Sequence, residues 1–385
     1  MGTCVDDRDE RGVRETDVAA AGEAAAALAA ARAGAAAAAG SGEPDMPPAG
    51  AGSRGSRMPR LLARALRFAL LLAATSVVSF ALVAASPVDP VRANVGQVSY
   101  ARMPAEQRAE LARYWGHDTP LWERYGHWLA GALRGDFGES LRFGEPVAQV
   151  VGERFASSAA LMLVAWALAG AGGLALGVAA GARQGGALDR VACVLCYLLS
   201  STPAFWLGLV ALVVFSVWLG WFPLGFSAPV GVAASQVSLS AHLYHLILPA
   251  LVLAVSNMPS IALHTREKTI EVMDSDYARF AASRGESRAS VLLRHGLRNL
   301  VLPALTIELA SVSEVFGGSV LVEQVFSYPG LGQAAVTAGL GGDAPLLVVI
   351  ALVSAVVVFG GNLLADVLYG VIDPRIREGR ASRHA

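Results

Sequence analysis

The sequence predicts an all-α protein that crosses a membrane six times, and three observations carry that prediction. The mean hydropathy is +0.50, and 16% of the residues are charged against 54% hydrophobic, where a soluble domain holds about a quarter charged. Apolar runs near the roughly 20 residues needed to cross a bilayer as a helix recur along the chain. Arginines collect in alternate connections, the pattern expected when basic loops stay on the cytoplasmic side.

Residues 1–57 stand apart as low-complexity Ala/Gly/Pro, interrupted by Glu23 and Arg32. Alanine is too weakly apolar to hold a span, and the leucine-rich centre of a secretory signal is missing. The stretch is read as a disordered extension or a mis-assigned start, with Met46 or Met58 as the first residue; "MPRLLARALRFALLL" opens at Met58. Residues 58–86 supply a basic flank (Arg60, Arg64, Arg67) and the first span, 68–86.

Residues 87–155 are read as an external region with amphipathic helices. Leu111 and Tyr114 share one helical face, and Leu121, Tyr125, Trp128 and Leu129 are helically spaced. Such helices suit a membrane surface, where tryptophan and tyrosine favour the headgroups.

Residues 156–377 form the core. The second span, 156–181, contains "AGAGGLALG", whose small residues let helix backbones approach. The third, 191–222, is too long for one straight crossing, and Pro203 is expected to break it. Spans four to six are placed at 246–263, 300–321 and 346–371, with a tail at 378–385. Basic residues fall before span one, at Arg183 and Arg190, through 265–299, and in the tail; 223–242 and 324–345 contain none. Both termini are therefore expected in the cytoplasm.

Several chemistries are excluded. Lysine occurs once, at Lys268, between Glu267 and Thr269 and with no glycine loop ahead of it. A phosphate-cradling loop needs GxxxxGK followed by Ser or Thr, so ATP is not hydrolysed on this chain. HExxH is absent. Cys193 and Cys196 form a CxxC inside an apolar run without the second pair that a zinc site needs. His242 and His245 sit at i, i+3, where a metal reading competes with an interfacial one. No catalytic residue, metal site or cofactor is assigned, and no nucleic-acid partner is expected.

One compact charged segment, "DYARFAASRGESRASVLLRHGLRNLVLP" (276–303), separates two apolar spans. Ser275 suits the cap of a helix starting at Asp276, Gly285 its C-terminal stop, and Ser287 the cap of a second helix. Tyr277, Phe280, Ala281 and Arg284 are expected on one side of the first helix; Val291, Leu292, His295 and Arg298 on one side of the second. Two readings fit this bend: surface helices whose arginines meet anionic headgroups, or a docking element for a soluble partner anchored by Tyr277 and Phe280. Within the spans, Glu308, Glu314 and Asp366 are costly in an apolar setting and read as pathway-lining or interhelical groups. Six residues apart on a straight helix, Glu308 and Glu314 would face about 120° from each other.

The 276–303 segment resembles the coupling-loop signature of ABC-type import permeases of the peptide/nickel branch. "SPVDP", "GDFGES" (135–140), "STPAFW" (201–206), "FSYPGLG" (326–332) and "LLADVLYGVIDPRIR" (363–377) agree in order, so the resemblance covers 58–377. It implies the type I ABC importer permease fold in a bacterial inner membrane. It also implies two cytoplasmic ATP-binding subunits, a second homologous permease subunit, and an extracytoplasmic solute-binding protein that delivers peptides, nickel or related solutes.

In that frame the coupling helix at 276–285 lies in a cleft of the ATPase, presenting Asp276, Tyr277, Arg279, Phe280, Ala281 and Arg284. Gly285 supplies the bend, while Arg294, His295 and Arg298 support the next helix. Tyr328, Pro329, Gly330 and Gly332 fall in an external loop that contacts the binding protein or closes the path. Where many permeases carry Glu-Ala-Ala this chain has Arg279, Phe280 and Ala281, a replacement common in the peptide/nickel branch. The competing classes are an ion-coupled secondary transporter, with Glu308, Glu314 and Asp366 as a proton relay, and a membrane-anchored interaction protein.

Overall fold

The computed structural model describes residues 60–86, 93, 97–114, 119–229 and 237–372. The extension and tail expected from the sequence lie outside the described residues, as do the side chains of Leu111, Tyr114, Arg298 and Asp366. The described residues form fourteen α-helices: α1 (Arg60–Ala85), α2 (Gln97–Arg102), α3 (Ala105–Tyr114), α4 (Leu121–Ala132), α5 (Val147–Gly181), α6 (Ala187–Ser200), α7 (Ala204–Ala211), α8 (Leu239–Met273), α9 (Asp276–Ser283), α10 (Arg288–Val291), α11 (Leu297–Ala310), α12 (Val312–Val325), α13 (Leu331–Gly341) and α14 (Ala344–Ile372). π-Helical stretches continue α7 at Leu212–Trp218 and join α10 to α11 at Leu292–Gly296. Four helices are long and apolar enough to cross a membrane, and six spans result if each of two bent pairs counts as one.

The bent pairs have different causes. Between α6 and α7 the chain turns by 106° at Pro203, which has extended backbone and starts α7. Proline lacks the N–H to continue α6 and disfavours helix at the residue before it. The 55° bend between α11 and α12 has no proline. There the Glu308 carbonyl accepts bonds from the Ser311 N–H at 3.2 Å, the Ser311 hydroxyl at 2.8 Å and the Trp166 indole N–H at 3.0 Å. Side-chain donors on a helical carbonyl displace the regular ladder and bend the axis.

Glycine sets the central contact. α5 and α8 run in the same direction, with Gly173 against Ile261, Gly177 against Ala262 and Thr265, and Gly181 against Thr269. A Cβ on Gly177 would lie 2.5 Å from the Ala262 carbonyl oxygen and 2.6 Å from the Thr265 Cβ, so the helices touch backbone to backbone. Gly177→Val is expected to separate them and lower the melting temperature of the purified protein, since overpacking costs about 1–3 kcal/mol or more. An unchanged melting temperature would contradict this packing.

Two apolar clusters complete the core. One gathers Leu161, Leu253, Val322 and Phe326. The other joins Val147 and Val150 of α5 to Leu331, Ala334 and Leu346 of α13 and α14. α1 packs on α14, with Phe68 and Phe359 ring centres 6.1 Å apart. α4 reaches α1 through Tyr125, whose hydroxyl lies 2.7 Å from that of Ser76 and whose ring is 5.3 Å from that of Phe80.

Candidate functional site

The charged segment folds as a capped helix, a glycine turn and a second capped helix. The Ser275 hydroxyl accepts the Ala278 N–H at 3.4 Å, and that of Ser287 accepts the Ser290 N–H at 3.3 Å. α9 ends with Gly285 at φ 87°; its N–H donates to Ala282 at 3.0 Å while the Glu286 N–H reaches back to Ala281 at 3.2 Å. This pair of bonds is a Schellman motif, which needs the left-handed residue that glycine supplies without a Cβ penalty.

The bend has two faces. Ala278 and Ala281 are buried against Val291, with Met273 beside them. Ala281 therefore departs from the side expected for it: its short side chain lets α9 lie flat on Val291. Tyr277 and Phe280 are exposed, Phe280 at 63%, and the Arg284 guanidinium lies 5.9 Å from the Phe280 ring centre. Asp276 and Arg279 are exposed as well. Tyr277 accepts a 3.3 Å bond from the Asn299 amide, tying α9 to α11.

The second helix also differs from expectation. Val291, Leu292 and Gly296 are buried, whereas Arg294 and His295 face outward. The π-helical stretch Leu292–Gly296 adds a residue to the turn and rotates His295 off the Val291–Leu292 side. His295 Nε2 instead stands 3.4 Å from the Glu286 carboxylate, which also accepts the Ser290 hydroxyl at 3.0 Å. The Ser290 hydroxyl, with His295 adding to it, holds the Glu286 carboxyl below its ordinary range. A cavity of about 320 Å³ opens beneath α9, lined by Gly181, Gln184, Met273, Arg279 and Glu286 among others.

Asp189, which no motif singled out, ties this end together. It lies in the first turn of α6, is buried and holds Arg266 of α8 through two bonds, 2.5 Å from Nε and 2.8 Å from Nη2. It also accepts the Gly185 N–H at 2.8 Å. Its signal in the sequence is a lone acid inside a basic connection.

At the other end, Tyr328, Pro329 and Gly330 lie in the connection between α12 and α13, and this connection is packed inside. Tyr328, Gly330 and Gly332 are buried and Pro329 is partly so. They surround Glu323, which is fully buried. Its carboxylate accepts the Ser158 hydroxyl at 2.6 Å, the Gly332 N–H at 2.7 Å and the Gln333 N–H at 3.1 Å, at the positive N-terminal end of α13. A Cβ on Gly332 would fall 2.6 Å from the Val320 Cα, so the YPGLG glycines make room for this contact. Asp343 does the same for α14: it accepts the Ser140 hydroxyl at 2.6 Å, the Arg142 N–H at 3.1 Å and the Leu346 N–H at 3.2 Å, locking GDFGES to the last helix.

The two glutamates of the fifth span part company. Glu308 is buried and Glu314 exposed, on opposite sides of the bend at Ser311. His242 and His245 each hold a backbone carbonyl, of Ser227 and Gly225, both at 2.9 Å. Among the described residues no three His, Cys, Asp or Glu side chains gather as a metal group.

Residues 173–378 match the family described as "Binding-protein-dependent transport system inner membrane component". The oligopeptide transport system permease protein AppB of Bacillus subtilis is 35% identical over 318 residues, 82% of this chain and 98% of its own length. A probable peptide ABC transporter permease protein of Sinorhizobium fredii is 33% identical over 318 residues, again 82% of this chain and 98% of the relative. The chain belongs to the family of binding-protein-dependent, inner-membrane permease subunits of ABC importers.

Proposed function

We propose that this permease carries peptides, pairs with a second permease subunit to form the path, and has both termini in the cytoplasm. ATPase subunits supply the work and a solute-binding protein supplies the cargo; the proposed stoichiometry is two ATPases per permease pair. The observation that carries the docking role is the capped bend at 275–287, which presents Tyr277, Phe280 and Arg284 on a rigid base of Ala278, Ala281 and Val291. An exposed aromatic pair rimmed by arginines suits a protein cleft. ATPase closure on α9 would pass through the Asn299–Tyr277 bond and the Arg266–Asp189 pair into the spans, rocking them between two states. Peptides are favoured over nickel because the relatives are named for peptides and His242 and His245 are engaged with backbone carbonyls.

A cysteine at Ala282, exposed on α9, tests the docking. In the co-expressed complex it is expected to crosslink to an ATPase subunit. A transport-competent complex without that crosslink would overturn the docking role.

A further inference from the structure

Three buried carboxylates outside this bend are fully engaged. Glu323 and Asp343 each take three hydrogen bonds, and Asp189 holds a guanidinium and a backbone N–H. Glu308 is different. It is 4% exposed, and neither carboxylate oxygen has a donor. The nearby Trp166 N–H goes to its backbone carbonyl. A buried carboxylate without donors is strongly unfavourable, so this acid ionises only when a partner from outside the chain supplies them.

The surroundings define that partner. Glu308 lines an open pocket of about 210 Å³ with Trp166, Gly170, Leu174, Ile261 and Leu305, and no basic residue lines it. The carboxylate lies against Gly170, where a Cβ would fall 2.8 Å from Oε2. An anion is repelled here, and a hydrated metal ion lacks further oxygen ligands. An organic ammonium group on a small apolar body satisfies both features: it donates to the carboxylate and covers the apolar wall that includes Trp166.

We infer that the Glu308 pocket is a solute subsite for a free ammonium group carried beside an apolar side chain, as at the amino end of a peptide. The inference rests on the peptide-carrying role proposed above. Its test uses the complete transporter in lipid nanodiscs, treated with an apolar carbodiimide that activates buried carboxyl groups. Loss of unmodified Glu308, counted over both the acylurea and any amide formed with the added amine, is followed by mass spectrometry. Leucinamide should slow modification about tenfold at ten times its dissociation constant, and N-acetyl-leucinamide at the same concentration should not. Glu308→Gln should remove the signal at that position.

Equal effects of the two amides, or no effect of either, would overturn the subsite. Modification seen in the isolated chain but blocked in the complex without any amide would assign the donor to the second permease and overturn it too. No modification in either preparation would show a carboxylate closed to ligands of that size, which also overturns it. ATP-driven peptide uptake by the same complex reconstituted into proteoliposomes separates these outcomes from failure of the peptide role, which would appear as absent uptake.

Discussion

Glu323→Leu is expected to prevent stable accumulation of the protein, or to lower its melting temperature more than any surface substitution. The leucine fills a similar volume but strands three donors: the Ser158 hydroxyl and the N–H groups of Gly332 and Gln333. Each buried donor without an acceptor costs about 1–3 kcal/mol. The Ser158 hydroxyl also accepts the Leu331 N–H at 2.8 Å, so its displacement would loosen the whole first turn of α13. Glu323→Gln keeps one carbonyl acceptor for the two N–H groups and turns its amide donor toward the Ser158 hydroxyl, so an intermediate loss is expected. Thermal unfolding of the purified variants checks the order wild type, Gln, Leu. A Leu variant as stable as wild type would contradict the role of this carboxylate.

Phe280→Ala is expected to leave the fold intact and to release the ATPase. Phe280 is exposed in the chain by itself, and substitutions at such positions shift stability within about 0.5 kcal/mol. Seated in a partner's cleft, a buried aromatic anchor contributes about 2–4 kcal/mol, which is roughly 30- to 1,000-fold in affinity. Arg284, over the same ring, should give a smaller loss on Arg284→Ala. Ala281→Leu acts differently: it pushes α9 off Val291 and should destabilise the bend itself. Affinity of the ATPase for the purified permease, with melting temperature as the control, distinguishes these cases. Unchanged affinity for the Phe280 variant would contradict docking through this face.

What is legible in the sequence follows from local chemistry. Pro203, Ser275, Gly285 and Ser287 act through their own backbone or first neighbours, so the break and the bend show in the residues themselves. The apolar lengths also mark the spans, although α5 starts at Val147 and α8 extends to Met273, since a helix need not end where its apolar run does. What stays hidden depends on contacts distant in the chain. The bend at Ser311 needs Trp166 from another helix, so a comparison of Glu308 with Glu314 on a straight helix misses it. The π-helical turn at Leu292–Gly296 moves His295 off the side that a 3.6-residue period assigns. Glu323, Asp343 and Asp189 look like ordinary charges, because their partners lie up to 203 residues away. YPGLG has the composition of a turn and is the cradle of one of them.

Solute uptake into proteoliposomes holding this chain, its partner permease, the ATPases and the binding protein tests the central claim most directly. The expected result is peptide uptake that requires ATP and the ATPases, persists when proton and sodium gradients are collapsed, and is lost with Phe280→Ala. Uptake by this chain alone, driven by an ion gradient without any ATPase, would contradict it.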